Sequence, residues 1–384
     1  MAIALLILGL LLFIGLVVVH EFGHFIFARR NGVIAEEFGI GFPPKAWSKK
    51  VKSKKGDFIF SLNWLPLGGF VRLKGEHDSD TEKGTFGAAT TWAKTKIMAA
   101  GIGMNLLAAL VLFLIVGWIG MPQIIDNQYY VASDSKLIDQ AKDKDVVKIG
   151  SVERAPASTA GIKKDDRILT IAGTKITGAE QMATVTKANA GKSVAVVIER
   201  DGKQLTKQLK LNDGSPYLGV RQYSAQTGFD IRRSTWSAPI VAVRVTGQFT
   251  VATFKGLGTA LKGVGSIIAG AFTGNSQART AGQTAASSQV SGPVGIFAVL
   301  YAGASQGIGF ILFVIGIISL SLAIMNVLPI PALDGGKLFI TYISHIFGKQ
   351  VSEGFENYAY GISFMVLIGL MVLITFVDVK RFFL

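Results

Sequence analysis

The sequence predicts an α-helical polytopic membrane protein with about four transmembrane helices, a membrane-associated β-hairpin and an inserted α/β domain. Three observations carry this expectation. Half of the 384 residues are hydrophobic and only 17% are charged, against about 25% charged in a soluble domain. Four apolar stretches reach the roughly 20 residues that cross a bilayer. Between the second and third stretches the chain becomes mixed and charged, with short alternating runs such as Ser193-Val-Ala-Val-Val-Ile-Glu199.

Residues 2–19 are uncharged and almost wholly apolar, and the run continues into His20-Glu21. No positive segment precedes it and no small-residue cleavage site follows, so a retained membrane helix is expected rather than a signal peptide. Arg29 and Arg30 suit the last turn of that helix, and Asn31-Gly32 suits a left-handed cap. Asp57–Trp64 reads as a strand, Pro66-Leu-Gly-Gly69 as a turn and Phe70–Lys74 as a second strand, so a hairpin is expected over 57–75. A second span fits 97–120. Residues 128–222 have the length of a small soluble domain. Residues 234–275 are apolar but broken by Arg244, Lys255 and Lys262, the pattern of an amphipathic helix at the membrane interface. Residues 275–290, rich in Ser, Thr, Gln, Ala and Gly, suit a flexible linker. The third span fits 307–328 and the fourth 359–377. The expected division is 1–127, 128–222, 223–290 and 291–384.

The chain carries 39 basic and 25 acidic residues, a net charge of +14. Its densest basic cluster is Lys45, Lys49, Lys50, Lys52, Lys54 and Lys55, read as a loop. No nucleic-acid motif accompanies the cluster, so nucleic acid is excluded as a partner and the lipid bilayer is the expected one. Four spans put both termini on one side. The Lys-rich segment, Lys337 and Lys349 share the other side, which the positive-inside rule makes cytoplasmic. The inserted domain is then extracytoplasmic.

There is no cysteine, so a metal site must use His, Asp or Glu. The four histidines are His20, His24, His77 and His345. His20-Glu21-Phe22-Gly23-His24 is an H-E-x-x-H motif. Positions i and i+4 share one helical face, so both imidazoles reach one ion, and the intervening Glu21 is placed as general base. Zinc accepts such ligands and lowers the pKa of a bound water from 15.7 to roughly 7. Ionisable groups in a membrane helix cost about 2.5–3.5 kcal/mol each on insertion scales, and so are functional by default. His20 lies about 18 residues along the helix, roughly 27 Å at 1.5 Å per residue, which puts the site toward the cytoplasmic face. Catalytic zinc takes a third protein ligand. Asp334 is the outstanding candidate, in Asn326-Val-Leu-Pro-Ile-Pro-Ala-Leu-Asp-Gly-Gly336, where Pro329 and Pro331 break the third span and the two glycines allow a sharp turn. The alternative is that Asp334 only caps the next helix. His77 and His345 read as solvated.

An H-E-x-x-H on the first membrane helix with a distal N-x-x-P-x-P-x-L-D-G-G resembles the site-2 proteases, the M50 class of intramembrane zinc metalloproteases, above all the bacterial RseP-like branch. Phe38–Phe42, Leu65–Phe70 and Ser291–Ile296 stand where that family has similar segments. The resemblance implies that His20, His24 and Asp334 bind Zn2+ and that Glu21 is the catalytic base and acid. It implies that Asn326 contacts substrate backbone. It makes the 57–75 hairpin, through Leu67, Gly68, Gly69 and Phe70, a re-entrant element that pairs with unwound substrate, because a helical peptide bond must be extended before attack. The implied activity is a metalloendopeptidase of the bacterial inner membrane. It would cleave the transmembrane segments of single-pass proteins in regulated intramembrane proteolysis, for example anti-sigma factors trimmed by an upstream site-1-type protease, or remnant signal peptides. One departure is Ile102, where the family has proline in Ala100-Gly-Ile-Gly-Met-Asn105. Residues Val152–Gly173 resemble a protease-associated PDZ domain, with Asp165 where glycine is usual. Such a domain acts either as a size filter or by capturing C-termini.

Overall fold

The computed structural model describes residues 2–382 apart from 55, 78, 126, 141–146, 153, 215, 225–228, 290–291 and 349–350. Lys55, Glu153, Ser291, Lys349 and the Leu67 side chain therefore lie outside the described residues. The chain divides into two compact units, residues 1–136 with 233–384, and residues 137–232.

Helix α1 (Ala2–Arg30) is apolar on all sides except at its C-terminal third. Its 29 residues extend roughly 43 Å at 1.5 Å per residue, more than the ~30 Å of a hydrocarbon core. It ends where the sequence places the cap: Asn31 N donates to Phe27 O at 3.0 Å and Gly32 takes φ +79°.

Next come two long bent strands, β1 (Ala35–Val51) and β2 (Phe58–Leu73), paired antiparallel. This corrects the expected hairpin. Segments 58–62 and 69–73 do not pair with each other. They flank Ala35–Ile40 on its two sides: Phe38 is opposite Phe60 on one side and Val71 on the other. The outer half of β1, Lys45–Val51, pairs with Asn63–Phe58. The Lys-rich segment read as a loop is thus a strand as far as Val51. It escapes periodicity because Phe42–Lys50 is exposed throughout, on both faces, so no apolar alternation marks it. Charge ties the sheet together. Glu37, fully buried, accepts from Ser61 Oγ at 2.7 Å, with Lys45 Nζ at 2.7 Å and Arg72 Nη2 at 2.9 Å. Burial opposes ionisation of Glu37, but the hydrogen bonds from Lys45 and Ser61 and the Arg72 charge outweigh it, holding its carboxyl below the usual range.

Helix α2 (Thr91–Ile119) is capped by Thr90, whose hydroxyl accepts from Ala93 N. It runs unbroken through Ile102, where a proline would remove a hydrogen bond.

The second unit is built on a six-stranded antiparallel sheet, with five strands in the order Val220–Ser224, Val147–Val152, Arg167–Ile171, Ser193–Arg200 and Lys203–Lys210 and the sixth, Thr174–Lys175, pairing with Arg167–Ile171. Helix α3 (Ala179–Ala188) completes it. Alternation explains the sheet: Val194, Val196 and Ile198 point inward to meet Ile149, Ile168 and Ile171. Truncating one of these buried isoleucines to Val costs about 0.5–1.5 kcal/mol. Asp166, 1% exposed, takes a bidentate pair from Arg200 at 2.6 and 2.7 Å. Asp165 adopts φ +68°, the left-handed region that glycine prefers.

Back in the first unit, helix α4 (Ala238–Thr273) is one continuous element. Asp134 secures its start, accepting from the backbone N–H of Thr235 and Ser237 at 2.8 and 3.0 Å and from both hydroxyls. Burial raises the Asp134 carboxyl pKa, and these bonds more than reverse the rise, leaving it well below the usual range. The first half of α4 buries Val241, Val245 and Phe249 against Phe113 of α2, while its second half exposes Leu261, Ile268 and Phe272. The expected linker is a helix, α5 (Ser276–Gln289), packed on α4. Its composition misled because Ala and Gln serve helices as well as linkers, and Gly282 lets it close on the Gly263 carbonyl. Four helices follow: α6 (Pro293–Gly303), α7 (Ile308–Val327), α8 (Asp334–Phe347) and α9 (Glu353–Phe382). Among the described residues, α1, α2, α7 and α9 are the four helices long and apolar enough to cross a membrane.

Candidate metal centre and its cavity

Two imidazoles in an apolar helix need a neighbour that leaves room and offers hydrogen bonds. Helix α2 does both. A Cβ on Gly101 would overlap His24 Nε2 and sit 2.8 Å from His20 Cε1, and a Cβ on Gly23 would sit 2.6 Å from the Ala100 carbonyl oxygen. Glycine at both positions lets α1 and α2 approach closely. His20 and His24 end 8% and 6% exposed. His24 Nδ1 lies 2.8 Å from the Ile97 carbonyl, and His20 Nδ1 lies 3.2 Å from the Asn105 side chain. Ile97, Gly101 and Asn105 recur every four residues, so one stripe of α2 serves both rings.

Asp334 comes from the other end of the chain. After α7 the backbone turns through Ile330 N to Leu328 O and Leu333 N to Ile330 O, each 2.8 Å, and α8 begins at once. Side chains at Gly335 or Gly336 would collide with the backbone oxygens of Val327, Leu328 and Ile330. This tight return aims Asp334 at α1. Its Oδ2 lies 3.1 Å from His20 Nε2 and 3.2 Å from His24 Nε2, and the two Nε2 atoms are 3.2 Å apart. Asp334 stands in the first helical turn, and Leu333 holds the cap position.

Glu21, next to His20, shares with it a cavity of about 250 Å3 that also presents Asn105, Asn326 and Asp334. The inner part of β2 passes beside Glu21. A Cβ on Gly69 would meet Glu21 Cγ at 3.6 Å. Among the described residues no strand pairs with the outer edge of Gly69–Leu73.

The structure thus brings His20, Glu21, His24, Asn326 and Asp334 together, with Gly69 beside them. Gly68, at φ +87°, abuts Phe42, and Phe70 lays its ring over Gly39, so both shape the sheet rather than line the cavity. His77 is not free in solvent: its Nδ1 lies 3.2 Å from Glu356 of α9. Two residues had no assigned role from sequence, Gly101 and Asn105. Their signal was available, a polar residue four positions after a glycine within an apolar span.

The sequence profile of peptidase family M50 matches residues 8–370. A Clostridium perfringens strain 13 protein, named as a candidate zinc metalloprotease, is 30% identical over 97% of this chain and 98% of its own length. The zinc metalloprotease RasP of Geobacillus kaustophilus is 26% identical over 98% of this chain and 97% of its length. The regulator of sigma-W protease RasP of Bacillus subtilis is also 26% identical, over 98% of both chains.

Proposed function

Because the chain belongs to peptidase family M50, the zinc-dependent site-2 proteases, we propose that His20, His24 and Asp334 hold the zinc of this multi-pass membrane metallopeptidase and that Glu21 carries its protons. The observation behind this reading is the triangle of three ligand atoms 3.1–3.2 Å on a side. Tetrahedral zinc with bonds of about 2.0–2.1 Å spaces its ligands about 3.3 Å apart, so the donors fit. Asp334 Oδ2 is also buried without a hydrogen bond of its own, as an atom reserved for a cation would be.

Held by His20, His24 and Asp334, zinc would supply a Lewis acid for the scissile carbonyl and lower the pKa of a water. Glu21 takes the proton of that water on its carboxylate and delivers it to the nitrogen of the departing amine. Asn326, on the cavity wall, offers its amide to the substrate backbone. The open edge of Gly69–Leu73 receives the substrate as an added strand, extending the bond to be cut beside Glu21.

The substrates in this reading are transmembrane segments of single-pass proteins already trimmed by another protease, or remnant signal peptides. The setting is the bacterial inner membrane, with the site toward the cytoplasm and the inserted, PDZ-like unit outside. Comparative proteomics of membranes from cells carrying wild-type enzyme or Glu21→Gln tests it. Single-pass fragments should accumulate only with the variant, which keeps its zinc. Equal processing by both would remove Glu21 from the chemistry.

A further inference from the structure

We propose that Asn105 is a positioning residue that fixes the tautomer and ring orientation of His20 by accepting a hydrogen bond from His20 Nδ1–H. This rests on the reading of His20 as a zinc ligand.

Asn105 is 1% exposed, in the middle of an apolar helix. Its backbone carbonyl accepts from Ser319 Oγ of α7 at 2.7 Å, so its place on the helix is held from the far side. Its side-chain nitrogen faces His20 Nδ1 at 3.2 Å, and its Oδ1 is buried with no hydrogen bond. A buried amide oxygen left without a partner is destabilising.

The ring chemistry resolves this. His20 points Nε2 at His24 and Asp334. A neutral imidazole bears one N–H, so donating the Nε2 lone pair to a metal leaves the proton on Nδ1. An Nδ1–H facing an NH2 group is donor against donor. Amide O and N are interchangeable in shape, and turning the Asn105 amide by 180° sets Oδ1 against Nδ1–H. The same turn gives the unpaired oxygen its partner. His24 follows the same rule by different means, since its Nδ1 can only donate to the Ile97 carbonyl 2.8 Å away. One ring therefore leans on a backbone oxygen, and the other requires an acceptor at position 105. Groups that orient metal-binding imidazoles in this way are worth about 10–100-fold in metal affinity.

The test measures zinc affinity by chelator competition on the full chain in nanodiscs. Asn105→Leu keeps the volume and removes the acceptor; affinity should fall about 10–100-fold. Asn105→Asp keeps an acceptor and cannot donate; affinity should equal or exceed wild type. Wild-type affinity in the Leu variant overturns the proposal. So does a comparable loss in the Asp variant, because position 105 would then serve packing alone. Unfolding with zinc removed checks that Asn105→Leu is folded, and if it is not, Asn105→Asp against wild type decides. Zinc uptake that survives His20→Ala would instead overturn the metal-site reading, and this proposal with it. Uptake lost in His20→Ala but unchanged in Asn105→Leu would overturn this proposal alone.

Discussion

Helices α2 and α9 are alike in length and apolarity, yet they join the molecule in opposite ways. Helix α2 is gripped along its length. Gly101 admits both histidines, Ala100 meets Gly23, Phe113 fits against Gly316, and Asn105 is bonded to Ser319. Helix α9 leaves Phe364, Met365, Val372 and Phe376 more than half exposed, a surface suited to lipid, and is held at a few polar points. Glu356 meets His77, Ser363 Oγ accepts from Ala332 N at 3.2 Å, and buried Asp378 accepts from Gly292 N and Gly295 N at 2.8 Å each. Lipid is as apolar as leucine, so burial does not bind helices to one another in a bilayer. Close approach through small residues and hydrogen bonds remain. The cavity, where ligand positions matter most, uses the first.

One substitution made in both helices tests this contrast most strongly. Gly101→Val should leave purified protein without zinc and without cleavage, since its side chain takes the space of the imidazoles. Gly369→Val on α9, where an added Cβ would meet nothing outside its own helix backbone, should match wild type in both assays. Metal analysis and substrate cleavage read the difference, and equal loss at the two glycines would dissolve the comparison. Next in size, Asp378→Leu strips the acceptor from two buried N–H groups and should cost about 1–3 kcal/mol. It should lower the unfolding midpoint while zinc content stays normal. Because the chain has no cysteine, cross-links between cysteines introduced in α6 and α9 would report the loosening directly.

Acid should act on the charged sheet before the glycine-packed helices. The Glu37 carboxyl is held below its ordinary value of about 4.5. The stability it lends is present above that pH and is lost as pH falls through the lowered value. Asp134 contributes with the same sign, lower on the pH scale. Glu37→Gln should flatten the upper part of this acid limb, seen as an unfolding midpoint that varies less as pH falls below about 4.5. The smallest effect belongs to Ser363→Ala, about 0.5–1.5 kcal/mol from one hydrogen bond, with zinc binding unchanged.

The parts legible in sequence were those written in local order. Spans show as apolar runs, and the His20, Glu21 and His24 face follows from helical spacing alone. Asp334 could be singled out because prolines, glycines and an acid follow a span. The rest depends on partners distant in sequence. Nothing within 57–75 announces that Ala35–Ile40 will lie between its halves, and Lys45–Val51 shows no strand period because neither face is buried. Helix α5 owes its place to α4. Gly101 and Asn105 matter through what faces them, which a period along one helix does not report.

The placement of Asp334 has a thermodynamic consequence. Two donors lie on the first helix and one on the eighth, so an ion between them would act as a cross-link joining the chain's two ends. Folding and loading then form a single equilibrium. Above the dissociation constant, each tenfold rise in free zinc deepens the folded well by about 1.4 kcal/mol. A chelator would thus behave as a denaturant of the membrane unit, and the unfolding midpoint would serve as a gauge of metal occupancy.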